Sequence, residues 1–176
     1  MRKIKRIKKR KKSKMIQQTL VLIKPDGVQR GLIGEIVKRF EQRGLKIVGL
    51  KMVSVQKSLA EQHYTKDIEE RHGKAVRDYL MGYLSSGPVI AMVIQGSSAV
   101  SAVRKIVGNT YPGEAPIGTI RGDFAHVSKD YVKKFNQGKN LIHASENEND
   151  AKRELALWFS VDEIHDYKFS AEEHLI

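Results

Sequence analysis

The stretch NLIHAS, residues 140–145, puts a histidine directly after two apolar residues and just before a small residue and a hydroxyl. His143 is open to four readings: a packed core ring, a metal ligand, a general base or a nucleophile. The chain has no cysteine, and its six histidines form no H-x-H or H-E-x-x-H pair, which argues against a protein-built zinc site. Three cations stand at the ends of elements: Lys24 after the first strand, Arg104 late in a helix, Arg121 in a Gly/Pro-rich loop. Each alone reads most simply as a solvated surface charge. Together they can clamp a polyphosphate, because guanidinium grips phosphate oxygens bidentately and ammonium adds a point charge. A neutral imidazole, with an unperturbed pKa of about 6.5, is then a competent nitrogen nucleophile that needs no separate base. It does need an acceptor for its other ring nitrogen. Glu154, in the following helix, can fold back to provide one, although its simpler reading is a surface glutamate.

The common phosphate loops are absent. There is no G-x-x-x-x-G-K-[ST], and Gly27, Gly31 and Gly34 do not fit G-x-G-x-x-G.

The elements that must carry these residues follow from periodicity. IQQTLVLI, residues 16–23, is a β-rich run closed by the turn signal Lys24-Pro25-Asp26-Gly27. Leu32, Ile33, Ile36, Val37 and Phe40 recur at helical spacing, with Gly44 where a C-terminal cap belongs. LKIVGLKMVSV alternates as a strand, with Leu45, Ile47, Gly49, Lys51 and Val53 on one side. Ser58-Leu59-Ala60-Glu61 reads as a capping box opening a helix that holds His63 and Tyr64. A second helix ends before Ser86-Gly87-Pro88, VIAMVIQG is a central strand, and Ser97 is placed to cap SAVSAVRKIVG. NTYPGEAPIGTIRGD reads as a long surface loop, FAHV as a short strand and SKDYVKKF as a brief helix. NDAKRELALWF returns to helical spacing, and the C-terminal segment is expected to lie over the surface or a neighbour. The order β-α-β-(αα)-β-α-β predicts an α+β fold: a ferredoxin-like split β-α-β sandwich, an antiparallel sheet with helices on one face.

At 176 residues the chain is one domain, 15–176, with a basic tail at 1–14. The formal charge of +12 is carried by that tail, whose ten Lys/Arg leave 22 against 20 acidic residues in the remainder. The tail is expected to be disordered. It reads as an electrostatic anchor for RNA, DNA or an anionic surface, as a plain solvated tail, or as an extension upstream of a true start at Met15. VIAMVI, residues 89–94, is too short to span a bilayer, and no secretory signal is visible, so a cytoplasmic, membrane-free protein is expected.

Taken together, LIKPDGVQRGLIGEIVKRFEQRG (22–44), His63-Tyr64, SGPVIAMV (86–93), VRKIVGNTYP (103–112), GTIRGDF (118–124) and NLIHAS with its downstream ELALWF closely resemble the nucleoside diphosphate kinase family. They occur in family order and cover nearly the whole body. The resemblance implies a ping-pong phosphotransferase that moves the γ-phosphate of ATP, GTP or another nucleoside triphosphate onto a histidine and then onto a nucleoside diphosphate. By motif position His143 is the phosphorylated residue. Lys24, Arg104, Thr110 and Arg121 fall on phosphate-binding positions, and Asn140, with Lys24, on the ribose. Tyr64 falls beside the transferred phosphate, and Ser145 and Glu154 support the histidine. The resemblance also implies Mg2+ carried on the nucleotide phosphates, with no protein metal ligands, and a homo-oligomer, most commonly a hexamer built from dimers. Residues 1–14 lie outside the family core. A retired scaffold that binds nucleic acid through them is the alternative reading.

Four departures stand out. The phenylalanine that stacks on the base in the family has no counterpart; Val76 falls nearest, with Tyr79 or an aliphatic side chain as substitute. Residues 125–139 form an insertion expected to border the nucleotide cleft. Ala144 stands where glycine is usual, and Tyr111 where Asn or Asp is common.

Overall fold

The computed structural model describes residues 16–135 and 137–175, so the basic tail lies outside the described residues. Strands β1 (Ile16–Ile23), β2 (Lys46–Ser54), β3 (Pro88–Ser97) and β4 (Ile142–Ala144) form one antiparallel sheet in the order β2-β3-β1-β4. Leu20, Val21, Leu22 and Ile23 are all fully buried, so β1 has no solvent side and both sheet faces need cover. One face takes α2 (Ile33–Gln42) through Ile36 and Phe40, and α6 (Ala99–Val107) through Val103 and Val107. The other takes α3 (Lys57–His63), α5 (Lys74–Leu84) and α9 (Glu148–Trp158) through Ala60, Leu84 and Trp158. The expected α+β sandwich is present, with helices on two faces rather than one.

Other local expectations shift for identifiable reasons. The alternation of β2 breaks at a bulge between Ile47 and Gly49. An extra residue flips every later side chain, so Ile47 packs on one face and Val53 on the other. Helix α3 starts from an extended Gln56, two residues before the expected cap, and Ser58–Glu61 fall inside it. Ser97 is still paired in the β3–β1 ladder, so the cap of α6 falls on Ser98. FAHV forms no strand. Thr119 instead caps a short helix α7 (Ile120–Phe124), its hydroxyl accepting from the Gly122 amide, and β4 occupies the edge of β1. Lys24-Pro25-Asp26-Gly27 leads into a short helix α1 (Pro25–Gln29), with proline at its first turn, where a missing N–H costs nothing.

Two backbone features set the site. Gly27 lies against β1 and β4: a Cβ there would stand 2.7 Å from the Ile23 Cγ2 and 3.2 Å from the Leu141 carbonyl oxygen. Leu141 is left-handed, with φ 66°, a costly conformation for leucine. It is held there because its amide donates to the Asp26 carboxylate (3.2 Å), its carbonyl accepts from the Lys24 amide (2.8 Å), and its side chain is fully buried. This turn delivers β4 antiparallel to β1 with His143 opposite Leu22. The C-terminal segment lies across the chain's own β2: His165 donates to the Val48 carbonyl at 2.7 Å and Tyr167 to that of Ile47 at 2.9 Å. Among the described residues, no helix is long and apolar enough to cross a membrane.

Candidate active site

The ends of β1, α3, α6, α7 and β4 converge on a cleft of about 440 Å³. Of the nine expected site residues, Lys24, Tyr64, Arg104, Thr110, Arg121, Asn140, His143 and Glu154 line it. Ser145 is fully buried beside it. A larger hollow of about 780 Å³ shares Arg104, Gly108, Thr110 and Glu146 with this cleft but is lined by no histidine.

His143 Nε2 lies 2.9 Å from Glu154 Oε2, and the same oxygen accepts from the Ser145 hydroxyl at 2.7 Å. Glu154 is only 4% exposed. Burial pushes its carboxyl up, yet the facing His143, with help from His63 and Ser145, holds it down at about 2. Ionised, it can only accept hydrogen bonds. The His143 proton therefore sits on Nε2, which leaves the Nδ1 lone pair free. Ser145 is itself fixed by the Leu20 amide, which donates to its hydroxyl at 3.3 Å.

The cations are held differently from one another. Lys24 Nζ is buried, donates to Asn140 Oδ1 at 2.8 Å and lies 5.0 Å above the Tyr83 ring. Burial, then the charge of Arg121, lower its pKa to about 7, against an opposing pull from Asp26. Arg121 donates to four backbone carbonyls, those of Gly108, Asn109, Asn140 and Ile142, at 2.5–3.1 Å. One of its five N–H groups is left over, so it bolts the loops around the cleft as well as charging it. Burial and Arg104 lower its pKa to about 10. Arg104 and Thr110 are exposed at the rim. Asn140 spans the cleft, its amide also donating to the Thr110 carbonyl at 3.1 Å.

Two further residues, Asp26 and His63, lie in stretches the sequence singled out but had no role assigned to them. Asp26 accepts from both the Leu141 amide and the Tyr83 hydroxyl, tying α1 to α5 and β4. His63, 3% exposed, lies edge-on to His143 with ring centroids 4.5 Å apart. His63, His143 and Glu154 also form a cluster with potential metal donors within 4.8 Å of one another. Eighty residues separate the two histidines, so no spacing motif could reveal it. The set is nitrogen-rich and does not suit Mg2+, which prefers oxygen ligands.

At the apolar end the structure departs from expectation. Val76 is not part of the cleft wall, whereas Ile68, on α4 (Lys66–His72), and Leu80 are. Arg71 and His72 of α4 also reach the wall. Tyr79, like Val76, does not line the cleft; it stacks on Tyr83 with ring centroids 5.9 Å apart, and its hydroxyl accepts from the Gly138 amide at 3.0 Å. None of the described residues of 125–139 lines the cleft. That insertion, with its helix α8 (Lys129–Phe135), braces the rim. The Gly113 amide donates to Val127 at 3.0 Å, Lys129 pairs with Glu114 at 3.7 Å, and Tyr79 holds the far end.

A ferredoxin-like sheet carrying a carboxylate-oriented histidine in a cationic cleft defines a class: α+β enzymes that handle nucleotide phosphates. The comparisons with known proteins are specific within it. The family model for nucleoside diphosphate kinase matches residues 17–164. A nucleoside diphosphate kinase of Sulfurisphaera tokodaii is 52% identical over 149 residues, covering 85% of this chain and 92% of that one. The structure of a Borrelia burgdorferi nucleoside-diphosphate kinase, a transition-state mimic with bound vanadate and ADP, has a TM-score of 0.88 at 46% identity, covering 91% of this chain and 96% of that one. That of a Halobacterium salinarum nucleoside diphosphate kinase in complex with CDP has a TM-score of 0.78 at 41% identity, covering 91% and 98%. The chain belongs to the nucleoside diphosphate kinase family.

Proposed function

We propose that this enzyme passes the γ-phosphate of a nucleoside triphosphate to a nucleoside diphosphate in two half-reactions through a phosphohistidine at His143. The observation that carries the reading is the 2.9 Å contact between His143 Nε2 and Glu154, which frees Nδ1 as nucleophile. In the first half-reaction the Nδ1 lone pair forms an N–P bond to the γ-phosphorus. The bond from that phosphorus to the bridging oxygen breaks, and its electron pair leaves on the nucleoside diphosphate. In the second, a terminal phosphate oxygen of the acceptor attacks the same phosphorus and the N–P bond breaks. The phosphorylated imidazole keeps its Nε2 proton and is formally cationic, and the Glu154 carboxylate beside it compensates that charge.

Phosphoryl transfer depends chiefly on positioning and charge neutralisation. Lys24, Arg104, Thr110 and the spare N–H of Arg121 neutralise and hold the phosphates. Tyr64 faces the transferred group, and Asn140 with Lys24 takes the ribose. Mg2+ arrives as part of the nucleotide substrate, coordinated by phosphate oxygens. Ile68 and Leu80 offer the base apolar contact without reading its hydrogen-bonding edge, which favours acceptance of many bases. The capture of the Borrelia relative with vanadate and ADP supports in-line chemistry at this cleft.

The enzyme works as a homo-oligomer. The edge strand β2 exposes Leu50 (54%) and Met52 (60%), a pairing surface suited to a second copy and to assembly towards a hexamer. Residues 1–14 add an electrostatic contact to nucleic acid, and the enzyme is cytoplasmic. The test of the chemistry is incubation with γ-labelled ATP and no acceptor. An acid-labile, base-stable label should appear on the protein and be lost in His143→Ala. A wild-type protein that takes up no label contradicts the reading.

A further inference from the structure

We infer that His63 donates its Nε2–H to an oxygen of the phosphoryl group in transit, side by side with the Tyr64 hydroxyl. This rests on the phosphohistidine reading above and adds to it a group to which the sequence reading gave no role.

Among the described residues, three buried side-chain atoms have no hydrogen-bond partner: Thr19 Oγ1, His63 Nε2 and Tyr64 Oη. Folded chains satisfy nearly all such atoms, so each exception asks for a reason. Two of the three belong to consecutive residues at the end of α3, and both residues line the cleft that holds His143. The rings of His63 and Tyr64 are 4.7 Å apart, and that of His63 is 4.5 Å from His143. The shared need of two adjacent polar groups beside the nucleophile is met by a ligand rich in acceptor oxygens, and the phosphoryl group is one.

The identity of the unpartnered atom as a donor is fixed from behind. Trp158 Nε1 lies 3.3 Å from His63 Nδ1, and an indole nitrogen can only donate. Nδ1 therefore accepts, and the His63 proton is on Nε2. Burial above all keeps His63 well below its ordinary pKa, in its neutral form. A neutral imidazole is the useful form here. It gives a hydrogen bond to a phosphate oxygen without surrendering a proton to it. Were the ring charged, Nδ1–H would face the indole N–H, donor against donor. The same lock weighs against a metal ion bridging His63, His143 and Glu154. Coordination through Nε2 would require moving the proton to Nδ1, against Trp158.

The test uses the full-length enzyme and a shape-matched pair, His63→Gln, which retains an N–H donor, and His63→Met, which does not. Single-turnover phosphorylation by γ-labelled ATP is followed by rapid quench, with the ATP concentration for half-maximal rate measured alongside. His63→Met should slow both half-reactions by ~100-fold, the loss typical of one transition-state donor, with the half-saturating concentration changed less than about threefold. His63→Gln should recover at least about tenfold of that loss, since it restores a donor. Equal rates for the two variants, or a His63→Met rate within about threefold of wild type, overturn the proposal. If His63→Met does not fold, Trp158→Phe decides. It releases the tautomer lock, so transfer should slow several-fold with binding unchanged, and a wild-type rate overturns the proposal. A wild-type enzyme that takes up no label contradicts the phosphohistidine reading itself. A labelled wild type with indistinguishable Met and Gln variants contradicts only the role of His63.

Discussion

At the scale of single residues, the proposed role of His143 rests on its 2.9 Å contact with Glu154. A carboxylate that can only accept leaves the ring one arrangement of its proton. Replacing Glu154 with Gln supplies an amide that donates as readily as it accepts, so the ring loses its fixed tautomer and the compensating charge. The phosphorylation rate of Glu154→Gln should fall on the order of 100-fold, with nucleotide binding little changed, as read by rapid quench. The same carboxylate affects stability. Its pKa is lowered from 4.5 to about 2 in the folded state. Its contribution is complete above the unfolded value and is lost as pH falls through the folded one. Denaturation midpoints between those limits should fall less steeply with pH in Glu154→Gln than in wild type. Lys24 behaves in the opposite sense. Its folded pKa of about 7, down from 10.5, means that the free enzyme gains stability as pH rises through that interval. Polyphosphate binding restores the charge, so at pH 8 nucleotide binding should take up protons. Calorimetry in buffers of different ionisation enthalpy measures this uptake. A binding enthalpy independent of buffer would show that Lys24 is already charged in the free enzyme.

At the scale of elements, the site depends on a short edge strand entered through a left-handed leucine. Leu141 fills the core and its backbone ties Lys24 and Asp26 to β4. Leu141→Ala should cost about 2–5 kcal/mol in chemical denaturation, the range for a buried leucine truncation. A cost below about 1 kcal/mol would mean that the turn is set by its backbone bonds alone. Much of this level was legible in sequence. Periodicity found the first three strands and the helices over Ile36 and Val103, because a buried face repeats, but it placed the fourth strand at FAHV, whereas the three-residue β4 at Ile142–Ala144 is too short to show a period. Eight of the nine expected residues meet in one cleft because the resemblance carried their positions. What periodicity missed is non-local. The bulge in β2 flips a face without altering composition. His63 gains its meaning only from Trp158 and His143, far along the chain. Val76 was placed by counting along α5, yet the rotation of α4 and α5 brings Ile68 and Leu80 to the cleft instead.

At the scale of the whole molecule, the two-faced sheet leaves β2 as an apolar edge, and the exposure of Leu50 and Met52 there argues for a second copy. Changing both to lysine should shift the mass measured by light scattering towards smaller species while the fold is retained, since charge on an edge strand opposes pairing. An unchanged mass would place the assembly contact elsewhere. The described residues of the insertion at 125–139 brace the rim without lining the cleft, whereas α4 and α5 contribute Ile68 and Leu80 to its wall. The proposed chemistry turns on one ring nitrogen, and the most direct measurement is nitrogen-15 NMR of the enzyme phosphorylated by ATP. The account predicts phosphorus coupled to Nδ1 of His143, with Nε2 still protonated towards Glu154. Phosphorus on Nε2, or on no histidine at all, would contradict it.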